Sequence, residues 1–418
     1  MTTDVLRMVR VRQRFSADAV DDLPATVRAE VDRLLASGNV PQGARVAITA
    51  GSRGMARAAE VYRAAVDALR AAGHRPFLFT AMGSHGGGTA AGQRDLLDSL
   101  GVIEASVGTE ISCSADVVDI GHTTAPVADL PVLAAREAAE ADAVLVVNRV
   151  KPHTSFHGTY ESGVMKMLSV GMGRARGASM VHRLGWGSME QAVESIADVV
   201  LARLPVLGAI AVVENAHEQP ALVEGIPAAD IRVREAALLD VARERMPYLP
   251  VDDLDLCVVL EMGKDISGTG MDTNIIGRLR VQGLPEPARP RIAYLAVLDL
   301  TEASHGNATG VGLADFTTQR LADSVDRDAT YVNCLTSGSP VRAAVPMTLP
   351  DDRAVFEAVW QALKPERMGD VRAAVVESTL RLDELWLSER SAGEAKDIEV
   401  VGDPVAVGFD GTGRLRLG

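Results

Sequence analysis

The chain has 418 residues, 47% of them hydrophobic and 4% aromatic, and a formal net charge of −14. That length exceeds one ordinary hydrophobic core, and the composition is rich enough to fill two. The negative charge argues against generic nucleic-acid or anionic-membrane binding, so an anionic small substrate would need arginine or lysine to hold it locally.

Cys113, Cys257 and Cys334 are far apart and form no CxxC pair. They offer no cysteine-based zinc or iron–sulfur motif and fit free thiols in a reducing compartment. MTTDVLRMVR at the start lacks the apolar core of a signal peptide, and no apolar run reaches the roughly 18 residues of a membrane span. A soluble, cytoplasmic protein is expected.

Short apolar runs alternate with helical patterns, as in βαβ units around a largely parallel sheet. ARVAITAGSRG (44–54) reads as a strand entering a glycine turn that carries Arg53. AAEVYRAAVDALRAAG (58–73) reads as an amphipathic helix stopped by Gly73. PFLFTAMGSHGGGTAAGQRDLLDSLG (76–101) repeats the scheme: strand, glycine-rich loop with His85, then a helix capped by Thr89. ADAVLVVN (141–148) is another buried strand, and its end delivers the chain into a segment with His153 and His157; a helix is expected over 189–203.

ERMPYLPVDDLD (244–255), with its prolines and acids, reads as a linker, and LDLCVVLE after it as a strand. LPEPARP (284–290) is a loop, RIAYLAVLDL (291–300) a strand, and LADFTTQRLADSV (313–325) and DRAVFEAVWQALK (352–364) look helical. The expected architecture is two α/β domains with mainly parallel sheets, residues 1–248 and 249–418, with the active site in the cleft between them. There is no internal repeat.

In open α/β sheets, ligands collect where loops leave the carboxyl ends of strands. Arg53, His85 and His153 occupy three such loops. Glycines around His85 let backbone approach a ligand, and imidazole transfers protons near neutral pH. His153 and His157 are four apart, but Pro152 and Gly158 favour an irregular loop over a helical zinc pair, so one is expected to move protons and the other to be structural.

Lys166 sits in ESGVMKMLSVGMG between methionines. Burial would make its amine a nucleophile or covalent anchor, and a snorkelling lysine is the commoner alternative. GMGRARG (171–177) suggests either a glycine loop whose N–H groups face a phosphate or a plain turn. EMGKDISGTGMDTNIIGR (261–278) concentrates Glu261, Lys264, Asp265, Asp272 and Asn274 straight after a strand, and LTEASHGNATGVG (300–312) is similar. No GxSxG elbow exists for a serine hydrolase.

Taken together, GSHGG, KPH leading into ESGVMKMLSVGMG, the downstream His182, and Glu261 with Lys264 resemble the nickel-dependent lactate racemase family over most of the chain. The resemblance implies a nickel-pincer nucleotide (a pyridinium-3-thioamide-5-thiocarboxylic acid mononucleotide) bound to Lys166 through a thioamide, with His182 as the protein's nickel ligand. It implies His85 and His153 as paired acid–base residues, with Lys264 beside them in the reaction. Arg53, Gly171 and Gly173 would hold the cofactor, and Arg53, Glu261 and Lys264 the substrate.

The activity so implied is racemisation or epimerisation of a 2-hydroxy acid by reversible hydride transfer, with cofactor-biosynthesis proteins as loading partners. Two departures bear on the substrate: Ala50 replaces an acid of the family's first loop, and Glu261 stands where lactate enzymes carry glutamine. They widen the expected substrates to other 2-hydroxy acids, longer or sugar-derived ones included. The alternatives are a zinc- or magnesium-dependent hydrolase or lyase using the same histidine loops, and a non-catalytic nucleotide-binding homologue.

Overall fold

A computed structural model describes residues 5–52 and 54–418, in two compact units. One is Ser16–Met246; the other is Pro247–Gly418 together with the start of the chain up to Phe15. The division falls within the expected linker. The first strand departs from the expected 1–248 unit, because β1 (Arg7–Gln13) pairs antiparallel with Glu384–Ser388 and Ile398–Ala406 of the later unit. Its alternating side chains specify a half-buried strand but not which sheet it joins; partners almost 400 positions away decide that.

In Ser16–Met246 the strands are β2 (Arg45–Ala50), β3 (Arg75–Thr80), β4 (Ile111–Ser112), β5 (Val117–His122), β6 (Pro131–Ala135), β7 (Ala143–Arg149), β8 (Val206–Glu214) and β9 (Pro220–Pro227). The main sheet runs β4-β3-β2-β7-β8-β9, parallel except for β9, while β5 and β6 form a separate antiparallel pair. β2 is buried on both faces, as strands inside parallel sheets generally are. Its helix Ala58–Ala71 buries Val61, Ala65 and Leu69 on one face and ends at Gly73, whose φ of +86° suits glycine. Thr89 accepts from the Gly92 N–H at 3.1 Å and starts the next helix.

The chain steps from β2 outward to β3 and β4, then returns to lay β7 against the other side of β2. That reversal makes a topological switch point, and a crevice opens outside the carboxyl ends of such strands.

In the other unit β10 (Asp253–Met262), β11 (Arg291–Leu300), β12 (Phe316–Thr318), β13 (Met347–Leu349), β14 (Ala373–Val376), β15 (Glu384–Ser388) and β16 (Ile398–Ala406) give the order β13-β12-β11-β10-β14-β15-β1-β16. β10 to β14 are parallel; β15, β1 and β16 add antiparallel strands at one side. Both units are therefore α/β with mainly parallel cores. The helix read over 313–325 is corrected: Phe316–Thr318 is a strand, and only Gln319–Ser324 is helical. Thr318 ends the strand and caps the helix, accepting from the Leu321 N–H at 3.3 Å. No helix among the described residues is long and apolar enough to cross a membrane.

Candidate functional site

The carboxyl ends of β2, β3 and β7 release the loops with the candidate chemistry. Arg53 lies outside the described residues. Its neighbour Ser52 is hydrogen-bonded to Nδ1 of His85, so the loops after β2 and β3 meet side chain to side chain. His85 is itself exposed.

After β7 the chain makes a loop closed by two backbone hydrogen bonds between Lys151 and Ser162, of 2.8 and 3.2 Å. Glu161, fully buried, organises its interior. It accepts from the backbone N–H of His153, from that of Gly158 at 3.2 Å and from Arg243 at 2.7 Å, and His157 Nδ1 lies 3.4 Å away. Burial pushes the Glu161 carboxyl up, but the bonds from His157, the His153 N–H and Arg243 outweigh it and hold it below the usual glutamate range.

The two histidines therefore differ. His157 is exposed and faces Glu161. His153 is buried and stacks at 4.5 Å between ring centres on Phe156 and at 6.0 Å on Trp186. Its Nδ1 accepts from the Ser155 N–H at 3.0 Å, so the neutral ring carries its hydrogen on Nε2.

From Gly163 the chain turns helical and remains nearly so to His182. Val164–Lys166 is one α-turn, Met167–Gly171 a wider π-turn, and Arg174–His182 an α-helix. π-turns are frequent at functional sites. Lys166 is half-buried, with Nζ 5.7 Å from the centre of the Phe156 ring. His182 lies edge-on to Trp186 at 5.6 Å. Burial, and then the charge of Lys166, hold the His182 imidazole below the usual histidine range. His153, Lys166 and His182 thus share one surround built on Phe156 and Trp186.

Residues 171–177, read as either a glycine loop or a plain turn, lie within the helical run. Gly173 and Gly177 N–H donate within the helical run, to Ser169 and Gly173 carbonyls. A Cβ at Gly171 would meet Met167 Sδ at 2.7 Å and the Ala81 carbonyl at 3.0 Å; at Gly173 it would meet the Ser169 carbonyl at 2.9 Å. Close packing accounts for both glycines, and a phosphate cradle gains no support from them. The His85 loop packs on this same run: Gly83 N–H donates to the Gly171 carbonyl at 3.3 Å. Arg174 plugs the run from within, donating to the Thr80 and Asp116 carbonyls at 3.2 and 2.6 Å.

Glu261 and Lys264 belong to the other unit, at the carboxyl end of β10. Glu261 is exposed. The Lys264 ammonium donates to the Gly268 carbonyl at 2.7 Å and to Asn333 Oδ1 at 3.1 Å.

Sequence reasoning missed Phe156, Trp186, Glu161 and Glu235. In a chain with 3 tryptophans and 7 phenylalanines, aromatics three after His153 and four after His182 were a readable signal. Glu235 carried none, because it accepts from the Met165 backbone N–H at 2.7 Å, and Glu161 little, because two of its partners are backbone N–H groups and Arg243 lies 82 residues away.

A family model described as "Domain of unknown function (DUF362)" matches residues 47–231. No curated protein matches the chain. Among solved structures, the lactate racemase apoprotein from Thermoanaerobacterium thermosaccharolyticum is similar at 10% identity, with a TM-score of 0.51, over 88% of this chain and 93% of that one. A Thermotoga maritima protein from a structural genomics consortium is similar at 12% identity, with a TM-score of 0.48, over 68% of this chain and 72% of that one. The chain has a lactate racemase-like two-domain α/β fold.

Proposed function

We propose that this chain is a nickel-dependent 2-hydroxyacid racemase or epimerase that tethers a nickel-pincer nucleotide at Lys166. The observation that carries the reading is the shared surround of Lys166, His182 and His153 beside the carboxyl ends of β2, β3 and β7.

Donor chemistry supports the fit. Among the described residues, no three His, Cys, Asp or Glu side chains gather as a metal site. A zinc or magnesium ion held by protein ligands alone therefore finds no ligand set among them. A metal held chiefly by a cofactor needs one neutral imidazole, and His182, kept neutral by burial, offers its lone pair.

When bound, such a nucleotide supplies nickel and a ring that takes up and returns a hydride. The protein's share is positioning and proton transfer. Lys166 would give its amine to the covalent tether, which removes the need to keep a charge solvated beside Phe156. His85 and His153 would handle the substrate's hydroxyl proton, one for each enantiomer. Arg53, Glu261 and Lys264 stay with the substrate in this reading. As built, His153 presents an Nε2–H donor, suited to bonding a hydroxyl or keto oxygen; base action at Nε2 requires the Ser155 bond to release.

The test is the mass of the tryptic peptide containing Lys166, from protein co-produced with cofactor-making enzymes and checked for nickel. A nucleotide-sized adduct with equimolar nickel is expected. An unmodified Lys166, from a host that loads a known racemase, would overturn the reading.

A further inference from the structure

One helix, Ile231–Arg245, touches the segment 153–166 repeatedly. Near its start, the Arg232 guanidinium lies beside the Tyr160 hydroxyl. One turn on, the carboxyl of Glu235, 1% exposed, accepts from the Met165 N–H at 2.7 Å. At its end, Arg243 reaches Glu161 at 2.7 Å and the Gly158 carbonyl at 3.1 Å. Glu235 and Arg243 are eight residues apart, so they lie near one face of the helix.

These bonds fall on either side of the proposed chemistry. Val164 and Met165 begin the turn that ends at Lys166, and their N–H groups have no helical partner of their own. Gly163 precedes them because a Cβ there would stand 2.2 Å from Glu235 Oε1. Glu161 holds the His153 N–H. Burying a carboxyl for one backbone bond, with Oε1 left without a hydrogen-bond partner among the described residues, is costly for a merely structural contact.

We infer that the helix Ile231–Arg245 is the positioning element of the Lys166 site, with Glu235 setting the turn that carries Lys166 and Arg243, through Glu161, setting the loop that carries His153. The inference rests on reading Lys166 as the reactive amine, and both residues are positioning residues.

Full-length protein made without the cofactor is acetylated with a limiting amount of acetic anhydride, and acetyl on Lys166 is measured by peptide mass against the exposed Lys364. Glu235→Met keeps bulk and loses the acceptor; Glu235→Gln keeps both. Glu235→Met is expected to change relative labelling of Lys166 by about fivefold, the scale of one lost helix cap. Glu235→Gln is expected to restore it to within about twofold of wild type. Arg243→Ala is expected to leave Lys166 labelling alone and to speed amide exchange at His153. In wild type, the Met165 amide is expected to exchange as slowly as that of Met167.

Equal labelling in the Met and Gln variants would reduce Glu235 to a space-filler and overturn the inference. Fast exchange at Met165 in wild type would overturn it as well, even if Glu235→Met does not fold. These readouts need no cofactor. A Lys166 that never takes up nucleotide would therefore defeat the proposed function and leave the positioning result standing.

Discussion

His182 lies near enough to Lys166 for the ammonium charge to add to burial in disfavouring a protonated imidazole. The two residues are 16 apart in sequence and are brought together by the bent helical run 164–182. Because burial is the larger cause, Lys166→Met should recover only part of the depression. In protein made without cofactor, NMR titration should place the His182 midpoint below the usual histidine range and raise it in the variant without reaching that range. An unchanged midpoint would mean that the two groups do not sense each other.

His153 and His157 should separate in the same spectra. With Nδ1 accepting from Ser155, neutral His153 should appear as the Nε2–H tautomer, whereas exposed His157 should show Nδ1 facing the Glu161 carboxylate. In loaded enzyme, His153→Ala should lower kcat by about a hundredfold or more, the usual scale for a proton-transfer residue. His157→Ala should cost less than about tenfold, since Arg243 and two backbone N–H groups still hold Glu161. The reverse ranking, read from racemisation rates, would exchange their roles.

Arg243→Ala should weaken the fold most above the Glu161 pKa, and the difference from wild type should shrink as pH falls through it. Glu161 has its folded pKa below the unfolded value of 4.5, so its stabilisation is present above that value and is lost as pH falls through the folded one. Removing Arg243 takes away one of the bonds that hold the carboxyl down. Since the Arg243 side chain is 41% exposed, the expected loss near pH 7 is modest, about 1 kcal/mol. Urea unfolding at several pH values should show the gap between variant and wild type narrowing as pH falls below about 4.5.

Much of the first unit was legible because its signals are local. β2, β3 and β7 announce themselves as apolar runs ending in glycine or polar loops, and the switch-point rule directs attention to those ends. Long-range pairing was not legible. β1 carries ordinary alternation and joins a sheet whose other strands lie far along the chain. The glycines at 171 and 173 misled because glycine marks close packing as readily as a ligand cradle, and only neighbouring atoms tell the two apart. Glu235 was invisible for a related reason: a carboxylate that accepts from backbone leaves no complementary side chain to find.

Glu235 should also leave a pH signature. Its carboxyl ionises near 4.5 in the unfolded chain, while burial pushes it up to about 8 in the fold. Between those values the folded state binds the additional proton, so this residue's contribution to stability falls as pH rises. Glu235→Gln cannot ionise and lacks that slope. Its unfolding free energy relative to wild type should therefore climb between roughly pH 5 and pH 8 and level off above, for a total of a few kcal/mol. A difference that stays flat would show that the carboxyl ionises in place.

Gly163 and Glu235 should be energetically coupled. A methyl at position 163 would press on Glu235 Oε1 at 2.2 Å and Cδ at 2.7 Å, and the carboxylate cannot withdraw without releasing the Met165 N–H. Gly163→Ala in wild type should thus cost both the steric shift and the helix-starting bond, about 2 kcal/mol or more. In a Glu235→Ala background the obstructing atoms are gone and the bond is already lost, so the same glycine change should cost much less. The double-mutant cycle, measured by urea unfolding, should give a coupling of at least about 1 kcal/mol. Additive costs would mean that Gly163 is there for its backbone alone, and that the Lys166 turn does not depend on the carboxylate behind it.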